Sequence, residues 1–244
     1  MAGHSHAKNI KLRKAAVDAK RSKLFSKLAR LVITAARGGG DPDRNSKLAF
    51  AISKAKSYSL PRDTIEKAIK KGSGEVGGES FENIVYEGYG PNGVAVICDV
   101  LTDNRNRTAG EVRKIFDING GKLGTTNCVA YMFQRKGQFI LDAAGRTEDE
   151  IMELAMDAGA DDVKTEEDSF VILCDPSAFQ AVQAKLAEKN ITPLEADIVQ
   201  VADTLVNVDE ETGKRVAKLI DALDDHDDVQ AVFSNADLPD SAFA

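Results

Sequence analysis

The sequence predicts an α+β protein: an N-terminal helical domain followed by two α/β (ferredoxin-like) domains, one inserted in the other. Three observations lead there. The apolar period is helical up to about residue 72 and becomes a mixture of strand and helix periods from residue 82. A Gly-rich stretch, SGEVGGE at 73–79, carries no large apolar side chain except Val76 and reads as a linker. Charge changes sign at the same place: residues 1–74 hold 18 Lys and Arg against 5 Asp and Glu, whereas 75–244 hold 14 against 34. The implied boundaries are 1–78 for a basic helical domain, 79–135 plus 203–244 for a discontinuous α/β domain, and 136–202 for the inserted one.

The first helix is amphipathic. Leu24, Phe25, Leu28, Leu31, Val32 and Ala35 form its apolar stripe, and Lys20, Lys23, Lys27, Arg30 and Arg37 recur at the same period on the other side. The break GGGDPDRNS at 38–46 offers Asn45 or Ser46 as the N-cap of a second helix, marked by Leu48, Ala51, Ile52 and Ala55. Pro61 suits the first turn of a third, with Ile65, Ala68 and Ile69 inside and Gly72 at its end. Strands are expected at 82–89 and 94–101, a polar loop at 102–108, a helix at 108–116, and strands near Lys122 and at 128–133. The inserted segment reads as a strand at 137–141, a helix opened by a Thr147/Glu150 capping box and ended by Gly159, strands near Val163 and at 170–174, a helix at 176–189 and a strand at 194–201. That order is β-α-β-β-α-β. A helix at 210–223 and a strand at 229–233 then complete the interrupted domain.

Composition excludes several classes. No run nears the roughly eighteen apolar residues of a membrane span, and the start of the chain lacks the apolar core of a signal peptide, so a cytoplasmic protein without a membrane partner is expected. Cys98, Cys128 and Cys174 lie in apolar, strand-like runs without metal-ligand spacing, which reads as reduced core thiols. No G-K-[ST], G-x-S-x-G or H-E-x-x-H occurs, and His4, His6 and His226 have no evident nucleophile partner. Catalysis, a cofactor and a small-molecule substrate are therefore not expected. His4-x-His6 is half of a metal site with no spaced complement, and the run DALDDHDD at 221–228 lacks a Ca-loop pattern, so no metal is assigned. That acidic run reads as a solvated helix end.

What remains is cationic. The arm carries Lys8, Lys11, Arg13 and Lys14, and the first helix adds Lys20, Arg21, Lys23, Lys27, Arg30 and Arg37, with Asp18 the one acid among residues 1–37. A face of one sign, with a period and a length, points to a polyanion, nucleic acid first. The acidic remainder would be repelled by phosphate, which orients the contact and disfavours a close dimer through the basic face, so a monomer is expected. Within the acidic part, 105–136 is a basic island of seven cations against Glu111 and Asp117. In the loop before it, Asn104 and Asn106 can bond base edges or backbone and Arg105 and Arg107 can fork onto phosphate. The same residues could instead cap a helix and pair with acids, and the two roles can coexist. Tyr86 and Tyr89 in YEGYGPNG could stack on bases, although packing beside a tight turn is preferred.

The opening MAGHS with its basic arm, AARGGGDPDRN, LPRDTIEKAIKKG, YEGYGPNGVAV and LTDNRNRT…EVR resemble the YebC/PmpR family over essentially the full length. Family members commonly begin MAGHSKWANIKHRK, whereas this chain has His6 and Ala7 where they have Lys and Trp, so a stacking role of that Trp is absent. The resemblance implies three domains and a non-enzymatic DNA-binding transcriptional regulator. The alternative it carries is a ribosome- or RNA-bound translation factor assisting elongation.

Overall fold

The structure is a computed structural model that describes residues 21–74, 81–166 and 168–243. Helices α1 (Arg21–Ala36), α2 (Ser46–Ser57) and α3 (Arg62–Gly72) form the first module. Of the stripe expected of α1, Leu28 and Val32 are buried and Leu24, Phe25, Leu31 and Ala35 partly so, while Ile33 and Ala36 join the core with Leu48, Ala51, Ala55, Ile65 and Ala68 of the other two helices. Asn45 joins α1 to α2 with one side chain. Its Oδ1 accepts the Leu48 amide (3.1 Å) as an N-cap, while its Nδ2 donates to the carbonyls of Ala35 and Gly39, both at 2.8 Å. At the end of α3, a Cβ on Gly72 would lie 2.2 Å from the Ile33 carbonyl oxygen and 2.6 Å from Ala36 Cβ. Only glycine permits that approach of α3 to α1.

Strands β1 (Glu82–Tyr89), β2 (Ala95–Thr102), β3 (Lys122–Leu123) and β9 (Val229–Ser234) form an antiparallel sheet of order β3-β1-β2-β9. One face is covered by α4 (Arg105–Ile118) and α7 (Glu210–Asp224), with Val112, Phe116, Val216, Leu219 and Leu223 buried on it. Started at β2, the order is that of a ferredoxin-like sheet whose third strand is supplied from upstream by β1. The strand expected at 128–133 does not form. Those residues make a turn and one 3-10 turn, Ala130–Met132, ahead of β4 (Phe133–Asp142). The reason is Glu87. Its buried carboxylate accepts the amides of Asn127 (2.7 Å), Val129 (2.9 Å) and Ala130 (2.7 Å), the donors a strand would have offered to a neighbour.

The second sheet has β5 (Asp162–Thr165), β6 (Ser169–Cys174), β4 and β7 (Glu195–Ala202) in the order β5-β6-β4-β7, with α5 (Glu148–Asp157) and α6 (Phe179–Glu188) on one face. This is the expected ferredoxin-like order, and it lies in sequence inside the first sheet. Thr147 and Glu150 form the capping box that starts α5. The short strands β8 (Val206–Asn207) and β10 (Ala236–Asp237) pair beside α7.

The helical module touches both sheets. Phe50 of α2 meets Phe179 of α6 edge to face at 5.2 Å, and Phe179 stacks on Phe139 at 4.5 Å. Lys54 pairs with Asp197 of β7, close to Asp99 of β2. Burial pushes the Asp99 carboxyl up, with Arg135 and Lys54 opposing. On the other side, α1 reaches the end of α7.

Candidate nucleic-acid interface

The cationic face of α1 has the expected period but not the expected surroundings. Lys23, Lys27 and Arg30, at i, i+4 and i+7, address the acidic turn that ends α7. Lys23 Nζ donates to the carbonyl and the carboxylate of Asp225, each at 3.2 Å. Lys27 donates to the Asp224 carbonyl and lies 3.5 Å from its carboxylate. Arg30 Nη1 donates to Asp228 Oδ1 (2.8 Å) and the Asp227 carbonyl (2.9 Å), with its guanidinium 5.7 Å from the centre of the Phe81 ring. Two expectations are corrected here. Lys27 is buried rather than exposed on the face, and the run 224–228 is a set of counter-charges rather than a solvated helix end. Burial pulls the Lys27 ammonium below its ordinary range, and the nearby Asp224 only partly restores it.

Asp228 is the keystone. It is 3% exposed. Its Oδ2 accepts from Arg107 Nη2 (2.7 Å) and from Thr108 Oγ1 (2.8 Å), while Arg30 holds Oδ1. Burial pushes this carboxyl up, but the bonds from Arg107 and Thr108 and the charges of Arg107 and Arg30 win, so it stays ionised below the usual carboxylate range. Behind it a relay runs from the Asn104 amide to Thr102 Oγ1 (2.9 Å), on to Thr108 Oγ1 (2.8 Å), and so to Asp228.

The polar loop caps a helix and pairs with acids. Asn104 is the N-cap of α4, accepting the Arg107 amide at 3.2 Å. Arg107 also bonds Asp103 (2.9 Å) and lies 3.9 Å from Glu111. Arg105 and Asn106 are exposed in the first turn of α4, and Arg105 has no ion pair among the described residues. The tyrosines pack: Tyr86 donates to the Arg105 carbonyl (3.3 Å) and Tyr89 to the Cys128 carbonyl (3.0 Å). Of the other predicted contacts, Arg21 lies over Phe25 at 5.2 Å and Arg37 donates to the Phe81 carbonyl (2.5 Å). Lys8, Lys11, Arg13, Lys14 and Lys20, with the His4-x-His6 pair and most of the linker, lie outside the described residues.

Glu111, His226 and Asp228 offer ligand atoms within 4.8 Å of one another. All are committed elsewhere. His226 Nδ1 accepts the Asp228 amide (3.1 Å), so Nε2 carries the proton that bonds Glu111 (2.9 Å). Lys23, Arg30 and Arg107 line the same open cleft of about 420 Å³ together with Glu111, Asp225, Asp227 and Asp228, so cations and carboxylates face one another in it. Cys98 and Cys174 are buried, and burial pushes the Cys174 thiol up to about 11, which keeps it protonated.

The sequence reasoning missed Asp224, Asp225, Asp227 and Asp228 as partners of α1. The run itself was visible, but nothing local marks which cations it meets.

A basic helical module is set against two ferredoxin-like sheets, with a cleft of paired cations and carboxylates at the junction of α1, α4 and α7, and the relatives of this architecture are named as regulatory proteins. Family models agree on the particular group. The description "TACO1/YebC protein N-terminal domain" matches residues 5–75 and "TACO1/YebC second and third domain" matches 81–236. The chain belongs to the TACO1/YebC family. It is 52% identical to a "Probable transcriptional regulatory protein" of Halothermothrix orenii, with 98% of this chain and 96% of that protein covered. A protein of the same name from Pelotomaculum thermopropionicum is 48% identical, with 98% and 100% covered. The crystal structure of a conserved hypothetical protein from Aquifex aeolicus is similar at a TM-score of 0.83 and 45% identity, covering 92% of this chain and 93% of that one. Among the described residues no helix is long and apolar enough to cross a membrane.

Proposed function

We propose that this chain is a non-enzymatic regulator of gene expression that grips nucleic acid by its phosphates through the helical module, acting as a DNA-binding transcriptional regulator. One observation carries the reading. Lys47, Lys56, Lys67 and Lys70 on α2 and α3 are exposed and have no ion pair among the described residues. They sit in a segment, 21–74, with 13 Lys and Arg against 4 Asp and Glu. Such a surface is stabilised by a polyanion, and lysine holds phosphate as a point charge. The names of the relatives support the regulatory role.

A second reading, an RNA- or ribosome-bound translation factor, is favoured by the polar loop. Asn104 is spent on capping α4 and Arg107 on Asp103 and Asp228, which leaves Arg105 and Asn106 to read bases. Recognition by shape and backbone suits folded RNA. The test titrates promoter duplex, random duplex and ribosomes across salt. Lys47, Lys56, Lys67 and Lys70 changed to Gln should flatten the log K–log salt slope on duplex by roughly 3–4, at about 0.9 per phosphate. An unchanged slope removes these helices from the contact. A thousand-fold promoter preference supports transcription, and cosedimentation with ribosomes without that preference supports translation.

A further inference from the structure

The cationic face of α1 already has an anionic occupant. Lys23, Lys27 and Arg30 pair with three carboxylates of one turn, Asp225, Asp224 and Asp228, as they would pair with phosphates of one strand. The two ends of that turn are held differently. Asp228 is buried and gripped from α4 by Arg107 and Thr108 as well as from α1 by Arg30, so it keeps two partners outside α1. Asp224 and Asp225 are 57% and 42% exposed in their side chains and pair with Lys27 and Lys23 of α1. The Lys23–Asp225 pair is exposed on both sides, contributes roughly 0–1 kcal/mol and is screened by salt, whereas Lys27 is buried beneath Asp224 and is uncovered only when the turn moves. The cleft beside them is open to solvent and lined by Lys23, Arg30 and Arg107 as well as Glu111, Asp225, Asp227 and Asp228, so its cations become available to phosphate as carboxylates of the turn withdraw.

We propose that the acidic turn 224–228 is a built-in phosphate mimic that occupies the nucleic-acid surface of α1. Nucleic acid binds by displacing Asp224 and Asp225 from Lys27 and Lys23, while Asp228 stays in place as the anchor. The turn then sets a threshold. Isolated anions fail to displace two tethered carboxylates, whereas a phosphate backbone that also engages the lysines of α2 and α3 succeeds. The inference rests on the nucleic-acid reading above.

The test uses the full chain and a random-sequence duplex, with a single-stranded RNA in parallel. Asp224→Asn/Asp225→Asn should bind at least ten-fold more tightly than wild type at low salt. Its salt slope should steepen by up to about 2, because two cations are released to meet phosphates. The control Glu153→Gln/Asp157→Asn removes the same charge from the exposed face of α5, away from α1. It should change affinity less than three-fold. In parallel, spin labels at Ser22→Cys on α1 and Lys218→Cys on α7, in a Cys128→Ser background, report the separation of the two helices. Saturating nucleic acid should lengthen that distance. Equal gains in the two double variants, or an unchanged spin–spin distance at saturation, overturn the mimic while leaving the nucleic-acid function standing. If neither wild type nor either variant binds DNA or RNA, the nucleic-acid reading fails and the mimic falls with it.

Discussion

Replacing Asp228 by Asn tests the junction between the helical module and the first sheet. Asn keeps the size of Asp but presents an amide nitrogen where the carboxylate accepts from a guanidinium, so one of the bonds to Arg30 and Arg107 becomes a donor facing a donor. A hydrogen bond to a charged group contributes about 1.5–3 kcal/mol, and the bond from Thr108 about 1 more. The guanidiniums are 27% and 44% exposed, so water recovers part of what they lose. The expected loss is about 2–4 kcal/mol at pH 7. With an m-value of roughly 2–3 kcal/mol/M in urea, the midpoint falls by about 1 M. The sign with pH follows from the lowered carboxyl. A depressed folded value contributes stability that is present above the unfolded value, near 3.9, and is lost as pH falls through the folded one. Urea titrations followed by circular dichroism at pH 7, 5 and 3 should therefore show the gap between wild type and Asp228→Asn closing below about pH 4. An unchanged midpoint at pH 7, or a gap that persists undiminished at pH 3, would refute the keystone role.

Two further changes probe the frame that positions the site. Gly72→Ala places a methyl against the Ile33 carbonyl and Ala36, so α3 must shift off α1, at a cost of about 1–3 kcal/mol read as a fall in thermal midpoint. A midpoint within a degree of wild type would mean that the helices yield freely. Glu87→Gln keeps the shape but weakens the acceptor for three amides, and about 1–3 kcal/mol should be lost. Amide exchange at Asn127, Val129 and Ala130 should accelerate, and unchanged protection there would show that the turn is held by something else.

Much of the fold can be read locally because its signals are local. The stripe of α1, the cap at Asn45, the Thr147/Glu150 box and the β-α-β-β-α-β order of the second sheet all depend on residues within a few positions of one another. The segment 128–133 shows the limit. It is apolar enough to be a strand, yet a carboxylate some forty residues upstream takes its amides and turns it. The place expected for that strand is filled by β1, because a period reveals a strand but not its neighbour.

The sequence by itself determined that the chain has a basic helical end, an acidic remainder, and a cationic face on α1. Charge and period are properties of the residues and survive any packing. Only the tertiary structure decided what that face touches. The pairs of Lys23, Lys27 and Arg30 with Asp225, Asp224 and Asp228 join residues 197 to 202 positions apart. An ion pair acts over a few ångströms of space, and nothing in the spacing of charges along a chain says which of them the fold will bring that close.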